Sequence, residues 1–170
     1  GLYTFDPAQG KLSSVSESAA ADIQHVNYLT ERKGKVYACA NNGLFIFSDQ
    51  QNFEWLRTNN GLFHNNVNQV FFDNEDRLWV ASHGAPPYYI SDQKVHPLKN
   101  IENLHSFNIN AYACDSSGNI WMATEGDGIF KFGDTTITKF TTDGGLLSDY
   151  CNGLYVNSDQ SVWVTHRAGI

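Results

Sequence analysis

Long apolar runs are missing from this chain, and so are paired cysteines and a surplus of basic residues. No stretch approaches the length that spans a bilayer as a helix. The first residues, GLYTFDPAQG, lack the charged-then-apolar pattern of a secretion signal, so any signal or anchor is expected outside this segment. Three cysteines, Cys39, Cys114 and Cys151, stand far apart. An odd count at wide spacing gives neither a disulfide framework nor a zinc CxxC pair. Lys and Arg number 11 against 18 Asp and Glu, a formal net charge of -7. That balance disfavours nucleic acid or an anionic membrane as the main partner. Also absent are a Gly-rich phosphate loop, a Gly-x-Ser-x-Gly elbow and a His-Glu-x-x-His pair, so no catalytic motif and no cofactor site is expected.

What is present is a repeat. Leu78-Trp79, Ile120-Trp121 and Val162-Trp163 recur at a step of 42 residues, and one further step back lies Val36-Tyr37. Polar turns precede each aromatic: Lys33-Gly34-Lys35, Asn74-Glu75-Asp76, Ser116-Ser117-Gly118 and Ser158-Asp159-Gln160. Before those turns run apolar-rich segments closed by Glu31, Asp73, Asp115 and Asn157. Within them Asn68, Asn110 and Asn152 share a column. A third segment follows each aromatic (Leu2 to Phe5, Leu44 to Phe47, Tyr88 to Ile90, Ile129 to Phe132). A fourth comes after it (Leu12 to Val15, Phe53 to Leu56, Val95 to Leu98, Ile137 to Phe140). Aromatic and branched residues between Gly, Asn, Asp and Ser turns predict strands, and helical periodicity is nowhere sustained. Four short strands per repeat predict an all-β fold of about four β-propeller blades, in frames of approximately 1–42, 43–84, 85–126 and 127–170. Neighbouring blades cover both faces of a blade, which accounts for bulky residues on both sides of the strands.

The segments NGLFHNNVNQVFFDNEDRLWVASHGA (60–85), INAYACDSSGNIWMATEGDGIFKF (109–132) and GLLSDYCNGLYVNSDQSVWVTHRAGI (145–170) resemble the two-component-regulator propeller repeat. Tyr37 departs from its Trp, and Ala81-Ser82 and Ala123-Thr124 depart from its Gly-Thr. Pro86-Pro87 predicts a late start to the next strand, near Tyr88. The resemblance implies the extracytoplasmic sensor region of a hybrid two-component histidine kinase, with blades belonging to a larger, seven-bladed ring. It implies a periplasmic or extracytoplasmic place within a membrane-anchored protein, a homodimer formed through the parent protein, and a small polar ligand such as an oligosaccharide. The kinase would lie elsewhere in that parent, and this segment is expected to be no enzyme. The chain begins at a third strand (Gly1-Leu2) and stops where the next would begin (Gly169-Ile170). The half repeats would then either close a four-bladed ring or belong to the larger one. Two uncovered blade faces would forfeit on the order of 10 kcal/mol, so closure, further blades or self-association must cover them.

Tyr37, Trp79, Trp121 and Trp163 are expected to pack between blades, and the cysteines occupy small or apolar columns suited to inert thiols. Candidate ligand residues are in the second-to-third and fourth-to-first connections, which fall on one face of a meander. They are His64, Asn65, His83, His105, Glu125, Asp127, Tyr150, His166 and Arg167. Glu125 and Asp127, flanking Gly126, are the one local carboxylate pair. No metal site is expected: His83 and His166 lack a third ligand, and Asp73-Asn74-Glu75-Asp76 has turn chemistry instead of a calcium-loop order. The alternatives are a protein-interaction platform, centred on Leu104, His105 and Phe107, and a propeller lyase or glycosidase.

Overall fold

Glycine, asparagine and aspartate turns separate sixteen short strands among the described residues, with one 3-10 turn at Thr142–Gly144. The computed structural model describes residues 2–15, 23, 25–99, 101, 104–133 and 136–167. The terminal Gly1, Gly169 and Ile170 therefore lie outside the described residues. The chain divides into two compact units, Gly1–Val67 and Asn68–Ile170.

In the first unit, β1 (Tyr3–Asp6) and β2 (Lys11–Ser14) form a two-stranded antiparallel sheet. Strands β3 (Val26–Arg32), β4 (Lys35–Ala40), β5 (Gly43–Phe47) and β6 (Phe53–Leu56) form a four-stranded meander. Every residue of β5 is buried, as expected of a strand covered on both faces. Its core joins Leu2, Val15, Ile23, Ala38, Ala40, Phe45 and Phe47. Phe45 stacks on Trp55 with ring centroids 4.9 Å apart.

The second unit holds two more meanders. One is β7 (Val67–Phe72), β8 (Leu78–Ser82), β9 (Tyr88–Ser91) and β10 (Lys94–Pro97). The other is β11 (Ile109–Cys114), β12 (Ile120–Thr124), β13 (Ile129–Phe132) and β14 (Ile137–Phe140). β15 (Cys151–Val156) and β16 (Val162–His166) make a two-stranded sheet. The fold is thus all-β, with three complete four-stranded blades and two strand pairs. β9 begins at Tyr88, just past Pro86-Pro87, where the missing amide hydrogens delay the strand.

The turns before Trp79 and Trp121 share one physical design. Asp73 Oδ1 accepts the backbone N–H of Glu75 (2.9 Å) and Arg77 (3.0 Å). Its Oδ2 accepts Arg77 Nε (2.6 Å) and Trp79 Nε1 (2.7 Å). Asp115 repeats the pattern with Ser117, Asn119 and Trp121 Nε1 (3.1 Å). The aspartate-rich turn therefore directs its carboxylate inward, to its own backbone and to the indole. Trp79 is buried and packs on Tyr112 of the next sheet at 5.3 Å. Trp121 and Tyr37 are half-buried. Trp163 departs from the expected inter-blade packing: on the two-stranded β15–β16 sheet it is 64% exposed, and no following sheet covers it among the described residues.

Candidate ligand-binding rim

The scaffold beneath the rim is an asparagine ladder. Asn27, Asn110 and Asn152 each fall in a β-bulge at the start of a first strand, where the extra residue turns its side chain along the rim. Asn68 Nδ2 donates to Ile109 O at 2.7 Å and Asn110 Nδ2 donates to Cys151 O at 2.8 Å. Each bond ties one repeat to the next within the second unit. In the first unit Asn27 Nδ2 donates to Val67 O at 2.8 Å. The sequence shows Asn68 and Asn110 as a column without their role, and conceals Asn27, because the turn between the first two strands of its repeat is one residue shorter, Glu31 pairing with Val36 where Cys114 pairs with Ile120.

On this scaffold stands a second column at the same 42-residue step: Asn41, His83, Glu125 and Arg167. Each directly follows a second strand. The backbone N–H of Glu125 is held by Asn108 O (2.9 Å) and that of Arg167 by Tyr150 O (3.2 Å). In the second unit the three side chains converge. His83 Nε2 is 3.8 Å from Glu125 Oε2, and Arg167 Nη1 is 3.4 Å from Glu125 Oε1. Because Asn110 Nδ2 is committed to Cys151 O, its Oδ1 faces His83 Nε2 at 3.3 Å. Two acceptors on that nitrogen favour the tautomer with the proton on Nε2. Asn41 belongs to the first unit, where its Oδ1 accepts Asn27 Nδ2 at 3.0 Å.

Tyr150 joins this group through an isolated bridge to Glu125, and its exposed ring stands beside Gly126. Gly126 has φ 113°, which a side chain would strain. His166 Nδ1 lies 3.8 Å from Cys151 Sγ. Burial and the Asp149 charge push that thiol up to about 11, so it stays protonated and is no nucleophile.

Asp127 has a different role from Glu125. It is buried and accepts the backbone N–H of His105 (2.8 Å) and Ser106 (2.6 Å), His105 Nδ1 (3.1 Å) and Lys139 Nζ (3.2 Å). Burial alone would raise its pKa, yet these donors together hold it below the usual carboxylate range. Asp127 pins the β10–β11 connection and leaves the exposed His105 side chain oriented above it. Glu125 and Asp127 are thus not brought together as a working carboxylate pair.

His64 and Asn65 belong to the first unit and serve its turns. His64 Nδ1 accepts the N–H of Asn66 (3.1 Å), and Asn65 Oδ1 accepts that of Thr58 (2.9 Å). Among the described residues no cluster of three or more His, Cys, Asp or Glu could hold a metal ion.

Residues 61–84 match the family model described as two component regulator propeller. No curated protein matches the chain in sequence. Among solved structures, the extracellular domain assigned to the hybrid two component system BT3049 of B. thetaiotaomicron is similar at TM-score 0.81 and 20% identity, covering 96% of this chain and 23% of that one. The corresponding domain of BT4673 from the same organism gives 0.75 and 18%, covering 96% and 23%. Virginiamycin B lyase from Staphylococcus aureus gives 0.58 and 16%, covering 84% and 52%. At these identities the likeness is one of fold, and the chain spans about a quarter of the length of the first two. No helix among the described residues is long and apolar enough to cross a membrane. Residues 61–84 thus carry one match to the two component regulator propeller repeat, within a β-propeller fold.

Proposed function

We propose that this chain is the ligand-sensing propeller of a two-component signal-transduction protein, placed outside the cytoplasmic membrane and binding a small polar ligand, a carbohydrate by preference. The observation that carries the reading is the convergence of His83, Glu125 and Arg167 from three successive repeats, with Tyr150 exposed beside them. These groups mix donors, acceptors and an aromatic face, which suits a hydroxyl-rich ligand. Signalling requires that the ligand favour one of two states of the parent protein by its differential affinity.

A second reading, a protein-interaction platform, draws on an apolar pocket of about 260 Å³ lined by Pro86, Pro87, Leu98, Ile101, Leu104 and Phe107. A thermal-shift screen of the full chain against an oligosaccharide panel separates the two. Binding at 100 times Kd stabilises by about 2.7 kcal/mol, a readable rise in Tm. A rise abolished by E125A supports the sensor reading. A panel with no responder leaves the interaction platform as the better account.

A further inference from the structure

We infer that positions 83, 125 and 167 are the specificity-determining positions of this rim, and that Arg167 receives a carboxylate carried by the ligand. The inference rests on the ligand-binding reading above and names the chemistry of that site.

The repeats vary in a telling place. The column two residues earlier holds Ala81, Ala123 and Thr165, and the next holds Ser82, Thr124 and His166. Ser82, Ala81, Ala123 and Thr124 are completely buried, so packing dictates small side chains there. The ladder column stays asparagine at 68, 110 and 152, and at 68 and 110 its amide donates to the next strand. At 83, 125 and 167 the residue directly follows a second strand each time, yet the side chain changes from imidazole to carboxylate to guanidinium. Packing imposes nothing on these positions: the side chains are 36%, 29% and 72% exposed. They nevertheless meet one another along the rim. A constant frame that presents different, converging functional groups is built to recognise something.

The ligand chemistry follows from how the charges are shared. Glu125 meets Arg167 through one oxygen, and its other oxygen lies 3.8 Å from His83 Nε2, whose nearer partner is Asn110 Oδ1. Arg167 touches Glu125 through Nη1 alone, at 3.4 Å, and makes no other side-chain bond among the described residues. A guanidinium has five N–H donors in a planar fork, so its other edge can hold a carboxylate bidentately. In a chain of net charge -7, that exposed cation offers an acidic ligand a local anchor. Hydroxyl groups beside the carboxylate would meet Glu125 and the Tyr150 ring.

The test measures binding of a uronate-containing trisaccharide and of its neutral counterpart to the full chain by isothermal titration, with R167A, R167K and E125Q compared at equal Tm. The expected result is tighter binding of the acidic sugar, at least a tenfold loss for it in R167A and a smaller loss in R167K, with the preference for the acidic over the neutral sugar abolished in R167A. Acidic-sugar binding that ignores both Arg167 variants overturns the inference while the sensor reading stands. Tighter binding of the neutral sugar does the same. Failure of both sugars and of the wider panel overturns the inference together with the sensor reading.

Discussion

Trp79 Nε1 donates to Asp73 Oδ2 at 2.7 Å, and six residues separate the two in each repeat that has the pair. The bond joins the turn to the inter-blade packing. D73A leaves a buried indole N–H, Arg77 Nε and two backbone donors without their acceptor. The expected cost is about 2–4 kcal/mol, by the desolvation penalty of orphaned buried donors. W79F removes one donor and keeps the packing, and should cost less than D73A. Urea denaturation of the two variants checks the order.

Acid should unfold the chain through the same carboxylates. Burial would raise the pKa of Asp115, but hydrogen bonds from Asn119, Trp121 and Lys131 outweigh it and hold it at about 2. Asp73 and Asp127 are lowered for similar reasons. A depressed folded pKa contributes stability that is present above the unfolded value and lost as pH falls through the folded one. Stability should therefore drop between about pH 4 and pH 2. D115N should be less stable than the parent at pH 6 and should lose less between those limits. Denaturant midpoints at pH 6, 4, 3 and 2.5 decide it.

Asn110 is the node between scaffold and rim, bonding Cys151 O, accepting from Asn68 and facing His83. N110A should cost about 1–3 kcal/mol and weaken ligand binding through His83. N68A should destabilise without that second effect. Tm and titration of the two variants separate the roles.

Gly128 has φ 76°, and a Cβ there would overlap the carbonyl oxygen of Phe140. Gly118, at φ 83°, opens onto free space. G118A should cost about 1 kcal/mol, the ordinary penalty of a left-handed backbone. G128A should cost several times more, because backbone cannot move aside. Paired thermal melts measure the difference.

The thiols should be inert. Cys39 and Cys151 are fully buried, and burial raises the Cys114 and Cys151 pKa values. Native protein at pH 8 should react slowly with a thiol reagent and rapidly after denaturation. Fast native labelling of Cys151 would contradict the protonated state assigned to it.

Strand positions were legible because a 42-residue step repeats wherever packing demands the same residue: Trp79 and Trp121, Asp73 and Asp115, the small residues at 81 and 123. The rim was only half legible. The sequence singled out His83, Glu125 and Arg167, but their convergence depends on how sheets stack, which no spacing encodes. Asp127 looked like a partner for Glu125, and burial turned it into a pin for His105 and Lys139. Asn27 escaped because the turn that follows its strand is one residue shorter than in the later repeats. Trp163 stands exposed because covering an indole takes a following sheet, which its own residue type cannot supply.

The ladder and the column above it repeat with the same period but obey different constraints. One holds neighbours together through the same amide at Asn68 and Asn110, and the other is at liberty to differ. Exchanging, duplicating or reordering whole repeats would therefore preserve every joint while rearranging the sequence of functional groups along the edge. New recognition could arise in such a chain by shuffling modules, with no redesign of the joints between them.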